Sequence, residues 1–288
     1  MIKRLSIFGV GLIGGSLALA LKKANYCEHI VGCSRCAEGL EKAIELGVID
    51  SYTLDPAEAV KEADMILLAV PMGAMAAVLS AIKGHTAADA VITDAGSAKG
   101  SVVAAAESVF GEIPANFVPG HPLAGAEKSG VEAALAGLYN DHKVIVTPLP
   151  HTSPEAESRV VAMWQAAGAE VERMEVQKHD RVLAATSHLP HALAFTLVDS
   201  LGRSELSDDI FHYAAGGFRD FTRIASSDPV MWRDICLENQ QAVLASIESF
   251  QKDLSELHDM VAQADSAGIL DMFARAKAAR DAYMKKQT

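Results

Sequence analysis

Arg4-Leu5-Ser6-Ile7-Phe8-Gly9-Val10-Gly11-Leu12-Ile13-Gly14 runs from an apolar, β-rich segment through three spaced glycines into an apolar segment of helical character. Three glycines alone say little. Directly after a strand and at the start of a helix, they have a mechanical meaning. Gly9 permits a tight turn, Gly11 lets backbone approach a pyrophosphate, and Gly14 lets the helix pack closely on the sheet. The free backbone N–H groups of Leu12 and Ile13 then open a helix N-terminus suited to phosphate. The stretch predicts a strand–turn–helix unit that binds a dinucleotide.

Outward from this turn, short β-rich runs alternate with amphipathic helical runs, the pattern of a parallel sheet covered on both faces. Strands are expected at Arg4–Phe8, His29–Cys33, Met65–Val70, Ala90–Asp94, Asn116–Pro119 and Lys143–Thr147, with Glu170–Met174 completing the unit. Helices are expected at Gly14–Ala24, Ala37–Leu46, Asp55–Ala63, Gly73–Ile82, Ser97–Val109 and Glu155–Ala167. From about Gln177 the strand-like runs stop, and apolar-periodic segments at 177–201, 206–225, 229–263 and 266–285 take over. The chain therefore reads as an α/β dinucleotide-binding domain, 1–175, followed by an all-helical domain, 176–288. In the latter, Val243, Leu244, Ile247, Phe250, Leu254 and Leu257 form a stripe that either packs within the chain or interleaves with a second subunit.

A chain of 288 residues, 50% hydrophobic, has enough apolar side chains for a full core. A net charge of −12 without long acidic runs argues against nonspecific binding to nucleic acid or anionic lipid. No signal peptide and no membrane span are expected, so the protein is read as soluble and cytoplasmic. Four cysteines do not make a disulfide framework at this length, which fits a reducing compartment. Cys33-Ser34-Arg35-Cys36 has redox-pair or half-zinc spacing, but no second pair follows nearby and the spacing is read as coincidence.

The end of the second strand bears on the cofactor. A site for NAD usually carries an acidic residue there, to bind the ribose hydroxyls. Here Ser34 and Arg35 offer a hydroxyl and a guanidinium, which suit a 2′-phosphate. NADP is expected in preference; the alternative is that Arg35 stacks on adenine and NAD binds as well. Val70 and Pro71 end the third major strand at the carboxyl edge, where such sheets bind ligands, and are expected to line the nicotinamide side.

Three further segments carry chemistry. Asp94-Ala95-Gly96-Ser97-Ala98-Lys99 places Ser97 either as a helix cap or as a hydroxyl facing the reacting groups. Gly120-His121-Pro122 opens a glycine-rich run to Gly130 and holds His121 on a loop just past a strand end, where a neutral imidazole suits alcohol-proton abstraction. His188-Leu189-Pro190-His191 lies in a helix that Pro190 must kink, with Asp180 upstream on a similar face. Two histidines without a third ligand do not make a metal site, and none is expected. In Gly216–Trp232, Arg219 and Arg223 are spaced to share a helix face, suiting a carboxylate or an ion pair with Asp220. Asp228-Pro229 reads as the cap and first residue of the next helix.

Taken in order, Gly9–Gly14, Asp94–Lys99, Gly120–Gly130, His188–His191 and Gly216–Trp232 resemble the prephenate/arogenate dehydrogenase family of tyrosine biosynthesis, almost end to end. The resemblance implies a Rossmann domain followed by a helical dimerisation domain, and hence a homodimer acting on a small molecule. It implies that His121 is the catalytic base and that Ser97 hydrogen-bonds near the ring hydroxyl and orients His121. Arg223 matches the arginine that holds a substrate carboxylate. His191, and less closely His188, match a histidine facing the far end of the substrate, and Gly216 matches a loop glycine near the partner subunit's site. Leu123 and Ala126 depart from the family's methionine and small polar residue, but neither removes a reacting group.

The implied reaction is oxidation of a cyclohexadienol, with hydride passing to a nicotinamide and CO₂ leaving as the ring becomes aromatic. Both the pyruvyl side chain of prephenate and the alanyl side chain of arogenate fit these residues. Another hydroxyacid or imine oxidoreductase on the same plan, or an NADP-sensing regulator, leaves Gly120–Gly130 without a role.

Overall fold

The computed structural model describes residues 1–125 and 128–285. Two compact units are distinguished, Met1–Gln240 and Gln241–Thr288. In the first, strands β1 (Ile2–Phe8), β2 (Cys27–Cys33), β3 (Ser51–Thr53), β4 (Met65–Leu68), β5 (Val91–Asp94) and β6 (Phe117–Val118) form an all-parallel sheet in the order β3-β2-β1-β4-β5-β6. The order reverses between β1 and β4, so their carboxyl ends flank a crevice of the kind that takes a dinucleotide.

Side-chain alternation decides which face each residue covers. Met65 and Leu67 of β4 pack with Leu5 and Ile7 against helices Leu12–Lys23 and Pro154–Ala166, through Leu17, Leu21, Val160 and Trp164. Ile66 and Leu68 face the other way, against helices Met75–Ile82 and Lys99–Phe110, through Leu79, Ile82, Val102 and Ala106. At about 25 cal/mol per Å² of apolar surface removed from water, two dry faces on one sheet dominate the stability of this unit.

A second sheet branches from the first. After β6 the chain passes Pro119 and enters β7 (Gly120–Pro122), antiparallel to β8 (Lys143–Val146), which is parallel to β9 (Glu170–Arg173). His121 is paired with Ile145 across β7 and β8. This corrects the expectation that His121 sits on a loop: it lies in an edge strand whose backbone is held by pairing with β8. Gly120 allows the branch, because a Cβ there would lie 3.1 Å from the Asp94 carbonyl oxygen and 3.4 Å from Thr93 Oγ1.

The helical segments begin with Val176–Leu183, a π-helical turn Ala184–His188, and Leu189–Gly202. Ser207–His212, Gly216–Thr222, the 3₁₀ turn Arg223–Ser226 and Pro229–Glu238 follow. The uninterrupted helix expected over 229–263 is broken at Asn239, whose backbone departs from helix (φ −112°, ψ 34°) and whose amide serves other partners.

The second unit consists almost wholly of helices Gln240–Ala262 and Ser266–Met284. Asp265 caps the latter by accepting from Gly268 N at 2.9 Å. The pair leaves Leu244, Leu254, Val261, Leu270 and Phe273 exposed.

Candidate active site

The glycine turn is built as the sequence predicts. Gly9 has φ +91°, and a Cβ there would be driven against the Ala69 carbonyl, a position only glycine fills without strain. Gly9 N donates to Cys33 O at 3.1 Å and Ala69 N to Phe8 O at 2.8 Å, which ties the ends of β2, β1 and β4 together. A Cβ on Gly14 would meet the Gly9 carbonyl, so the helix packs directly on the turn. At Gly11, by contrast, a Cβ would meet nothing within 4 Å. Gly11 is the N-cap of helix Leu12–Lys23, which has no side-chain cap and no acidic residue in its first turn. The residues present therefore fit a pyrophosphate: open backbone, unspent N–H groups and no competing carboxylate.

A cavity of about 550 Å³ opens beside this turn. Leu12 and Ile13 line it from the nucleotide side; Ala95, Ser97 and His121 line it from the sheet edge; His188, His191, Arg223 and Trp232 line it from the helices. Leu123, one departure from the family pattern, is also at its wall. Ala126, the other, lies outside the described residues.

His121 is held by an ion pair entirely out of water. Lys99 and Asp94 are both fully buried and in contact, and Lys99 Nζ also donates to Gly120 O at 2.6 Å. Asp94 in turn accepts from Gly96 N at 2.8 Å and Gly120 N at 3.1 Å. Burial lowers the Lys99 ammonium from its ordinary range while the Asp94 charge opposes that shift. The ends of β5 and β7 are thereby locked at a fixed spacing.

The side chain of His121 is 8% exposed, and its Nδ1 lies 2.9 Å from His179 Nε2. His179 Nδ1 lies 2.8 Å from Asp180 Oδ1. Asp180 Oδ1 and Oδ2 also accept from Lys99 N and Gly100 N, each at 2.8 Å. Asp180 therefore caps helix Lys99–Phe110, whose own N-cap, Ala98, has no side chain to do so. Burial tends to raise the Asp180 carboxyl, but the hydrogen bonds from His179, Lys99 and Gly100 outweigh it and hold the group below its ordinary range. Burial, reinforced by the charges of His179, Lys99 and His188, holds His121 well below the ordinary histidine value.

The far wall comes from the helices. The i to i+5 bond from Leu189 N to Ala184 O forms the π turn just ahead of Pro190. It absorbs the proline at the second position of the next helix without a sharp break. His191 Nδ1 donates to Ser187 O at 2.8 Å, leaving Nε2 for a ligand. Its ring stacks on Trp232, while His188 meets the same indole edge-on. Asn239 Nδ2 donates to Asp180 O at 2.9 Å and to His188 Nδ1 at 3.1 Å, so His188 presents Nε2–H.

Among the residues expected from the sequence, Ser97, His121, His188, His191, Arg223, Leu12 and Ile13 converge on this one cavity. Ser97 lies outside the helix and does not cap it. Ser34 and exposed Arg35 follow β2, and Val70 and exposed Pro71 follow β4; these four lie at the carboxyl edge but not in the cavity wall. Gly216 opens helix Gly216–Thr222, is exposed and is likewise not in that wall. Asp228 caps the helix beginning at Pro229, accepting from Met231 N at 2.7 Å. Sequence reasoning missed His179, Lys99, Asn239 and Trp232 as parts of the site.

Known proteins share the sequence and fold of this chain. A model of the prephenate dehydrogenase nucleotide-binding domain matches residues 17–173, and a model of the prephenate dehydrogenase dimerization domain matches residues 175–275. The chain is 39% identical over 285 residues to the cyclohexadienyl dehydrogenase of Zymomonas mobilis, covering 96% of this chain and 95% of that one. It is 37% identical over 284 residues to the prephenate dehydrogenase of Bacillus subtilis, covering 97% of this chain and 76% of the relative. A crystal structure of the prephenate dehydrogenase of Aquifex aeolicus, in complex with hydroxyphenyl propionate and NAD⁺, superposes with a TM-score of 0.90 at 38% identity over 98% of this chain and 99% of that one. The glycine turn, the buried histidine and the helical wall thus occur together in a chain that belongs to the prephenate dehydrogenase family.

Proposed function

We propose that this chain catalyses the oxidative decarboxylation of prephenate, arogenate or both, yielding 4-hydroxyphenylpyruvate or tyrosine. The observation that carries the reading is His121, whose Nδ1 is committed to His179 while the residue lines one cavity with Ser97 and Arg223. The glycine turn of Gly9, Gly11 and Gly14 would hold a dinucleotide, whose nicotinamide would supply the hydride acceptor for the hydroxyl-bearing ring carbon. His121 Nε2 takes the proton of that hydroxyl, and the Ser97 hydroxyl orients the same oxygen. Arg223 holds the ring carboxylate, whose bond to the ring breaks as CO₂ leaves and the ring becomes aromatic. His191 and His188 face the pyruvyl or alanyl side chain, which shares its ring carbon with that carboxylate.

Finer features belong to the same proposal. NADP is preferred over NAD, supported by Ser34 and Arg35 and by the lack of a carboxylate at the end of β2. Residues 1–175 bind the dinucleotide and 176–288 complete the substrate site and dimerise, supported by the meeting of the two family models between 173 and 175. The assembly is a homodimer, supported by the second model's description and by the apolar side chains exposed on the last two helices, with Gly216 approaching the partner's site. Among the described residues no helix is long and apolar enough to cross a membrane, and we place the enzyme in the cytoplasm.

The test is to assay prephenate and arogenate, each with NAD⁺ and NADP⁺, following reduced nicotinamide and released CO₂ together. Equal amounts of both are expected, with higher kcat/KM for NADP⁺. Cofactor reduction without CO₂, or no turnover of either substrate, overturns the reading.

A further inference from the structure

On helix Val176–Leu183, His179 meets His121 and Asp180 meets His179, and neither lines the substrate cavity. We infer that His179 and Asp180 act as a positioning pair, fixing His121 in the one tautomer whose Nε2 lone pair is free to act as base. The inference rests on the reading of His121 as the base and deepens it.

The argument is one of donors and acceptors. An ionised carboxylate only accepts, so the 2.8 Å contact requires a proton on His179 Nδ1. In neutral His179, Nε2 is then an acceptor, and the 2.9 Å contact requires the proton of His121 to be on Nδ1. The other tautomer of His121 would set two lone pairs against each other at that distance. Turning the tautomer of His179 to relieve this would set a second lone pair against the carboxylate. Burial lowers the affinity of His179 for a second proton, which keeps this logic intact at neutral pH.

The anchor of the chain cannot swing away. Lys99 N and Gly100 N hold both carboxylate oxygens of Asp180, and Asn239 holds its backbone carbonyl. The groups around the His121 and His179 rings that bear on their charge are Lys99, Asp94, Asp180 and His188. Because an imidazole stands between carboxylate and base, His121 gains orientation without an adjacent negative charge that would raise its proton affinity. When His121 becomes imidazolium, its Nδ1–H keeps the same acceptor, so no group has to reorganise during the proton transfer.

Two measurements on the full-length enzyme test this. The first is ¹⁵N NMR of the histidine-labelled protein with bound dinucleotide, the His121 signals being those lost in His121→Asn. Protonated Nδ1 and bare Nε2 are expected; the reverse overturns the inference and needs no substrate. The second compares His179→Leu with His179→Gln. Leucine removes the acceptor and should lower kcat about ten- to a hundredfold at unchanged KM and dinucleotide affinity. Glutamine supplies an amide oxygen and should recover most of the loss. A kcat within about twofold of wild type in His179→Leu, or no recovery in His179→Gln, also overturns it. If neither variant folds, the tautomer spectrum alone decides. A wild type inactive on both substrates instead defeats the proposed function, whatever the spectrum shows.

Discussion

The imidazole of His191 lies flat on the indole of Trp232, with ring centroids 3.5 Å apart and planes inclined by 17°. The Nδ1 bond to Ser187 fixes one edge of that ring, and the indole fixes its face. Aromatic pairs contribute about 0.5–1.5 kcal/mol beyond area burial, which converts to roughly two- to tenfold in affinity. Trp232→Leu should therefore raise KM for the cyclohexadienol substrate by about that factor while kcat changes less. Steady-state kinetics against Trp232→Phe, which keeps a stacking partner, checks this.

His121 must be unprotonated to act, and burial holds its proton affinity well below the ordinary histidine value of 6.5. Activity should stay flat as pH falls through 6.5 and drop only at lower pH, as the depressed group finally protonates. A kcat/KM profile whose acid limb has its midpoint at 6.5 or above contradicts this. His121→Asn should lose about 10²- to 10⁴-fold in kcat, with dinucleotide binding retained.

Stability should also fall in acid, for a related reason. His188 is 1% exposed, and burial, with His179 next, pulls its pKa from 6.5 to about 4. Between those values the unfolded chain binds a proton that the folded chain refuses, so stability declines as pH drops across that window. At about 1.4 kcal/mol per pH unit, the contribution is roughly 3 kcal/mol. Thermal midpoints measured from pH 7 to 4 should fall less steeply in His188→Gln than in wild type.

Gly9 and Gly11 should respond oppositely to enlargement. Gly9→Ala forces a Cβ against the Ala69 carbonyl at positive φ and should cost about 1–3 kcal/mol of stability as well as dinucleotide binding. The Cβ of Gly11→Ala meets no protein atom within 4 Å, so the thermal midpoint should hold while dinucleotide affinity falls. Calorimetry paired with a binding titration separates the two.

Arg35 follows β2 and is exposed, with its guanidinium available to an anionic ribose substituent. Arg35→Ala should cut the NADP⁺/NAD⁺ ratio of kcat/KM about tenfold or more, since a charge-assisted hydrogen bond contributes about 1.5–3 kcal/mol. Equal losses with both cofactors would assign Arg35 to adenine stacking instead.

Much of the fold was legible because parallel strands and their covering helices write their period into the chain. The six strands expected in the first half, from Arg4–Phe8 to Lys143–Thr147, all correspond to observed ones. β3 escaped because Ser51-Tyr52-Thr53 is short and polar, with nothing apolar to alternate. The glycine turn and the cavity residues were readable as local motifs. His179 was not: its meaning comes from a contact with His121, 58 positions away, and in sequence it is one more polar residue on a helix. Trp232 closed the Gly216–Trp232 segment without a role of its own, and the break at Asn239 depends on partners at 180 and 188 that no local pattern announces.

The carboxylate of Asp180 ends one structural problem and begins another. It closes a helix that starts at Lys99, 81 positions earlier, so the second half of the molecule finishes an element of the first. Severing the polypeptide between 173 and 175 would yield a nucleotide-binding piece with a frayed helix and a disoriented base, and chimaeras joined there would inherit the same defect unless residues 179 and 180 travelled with the amino-terminal half.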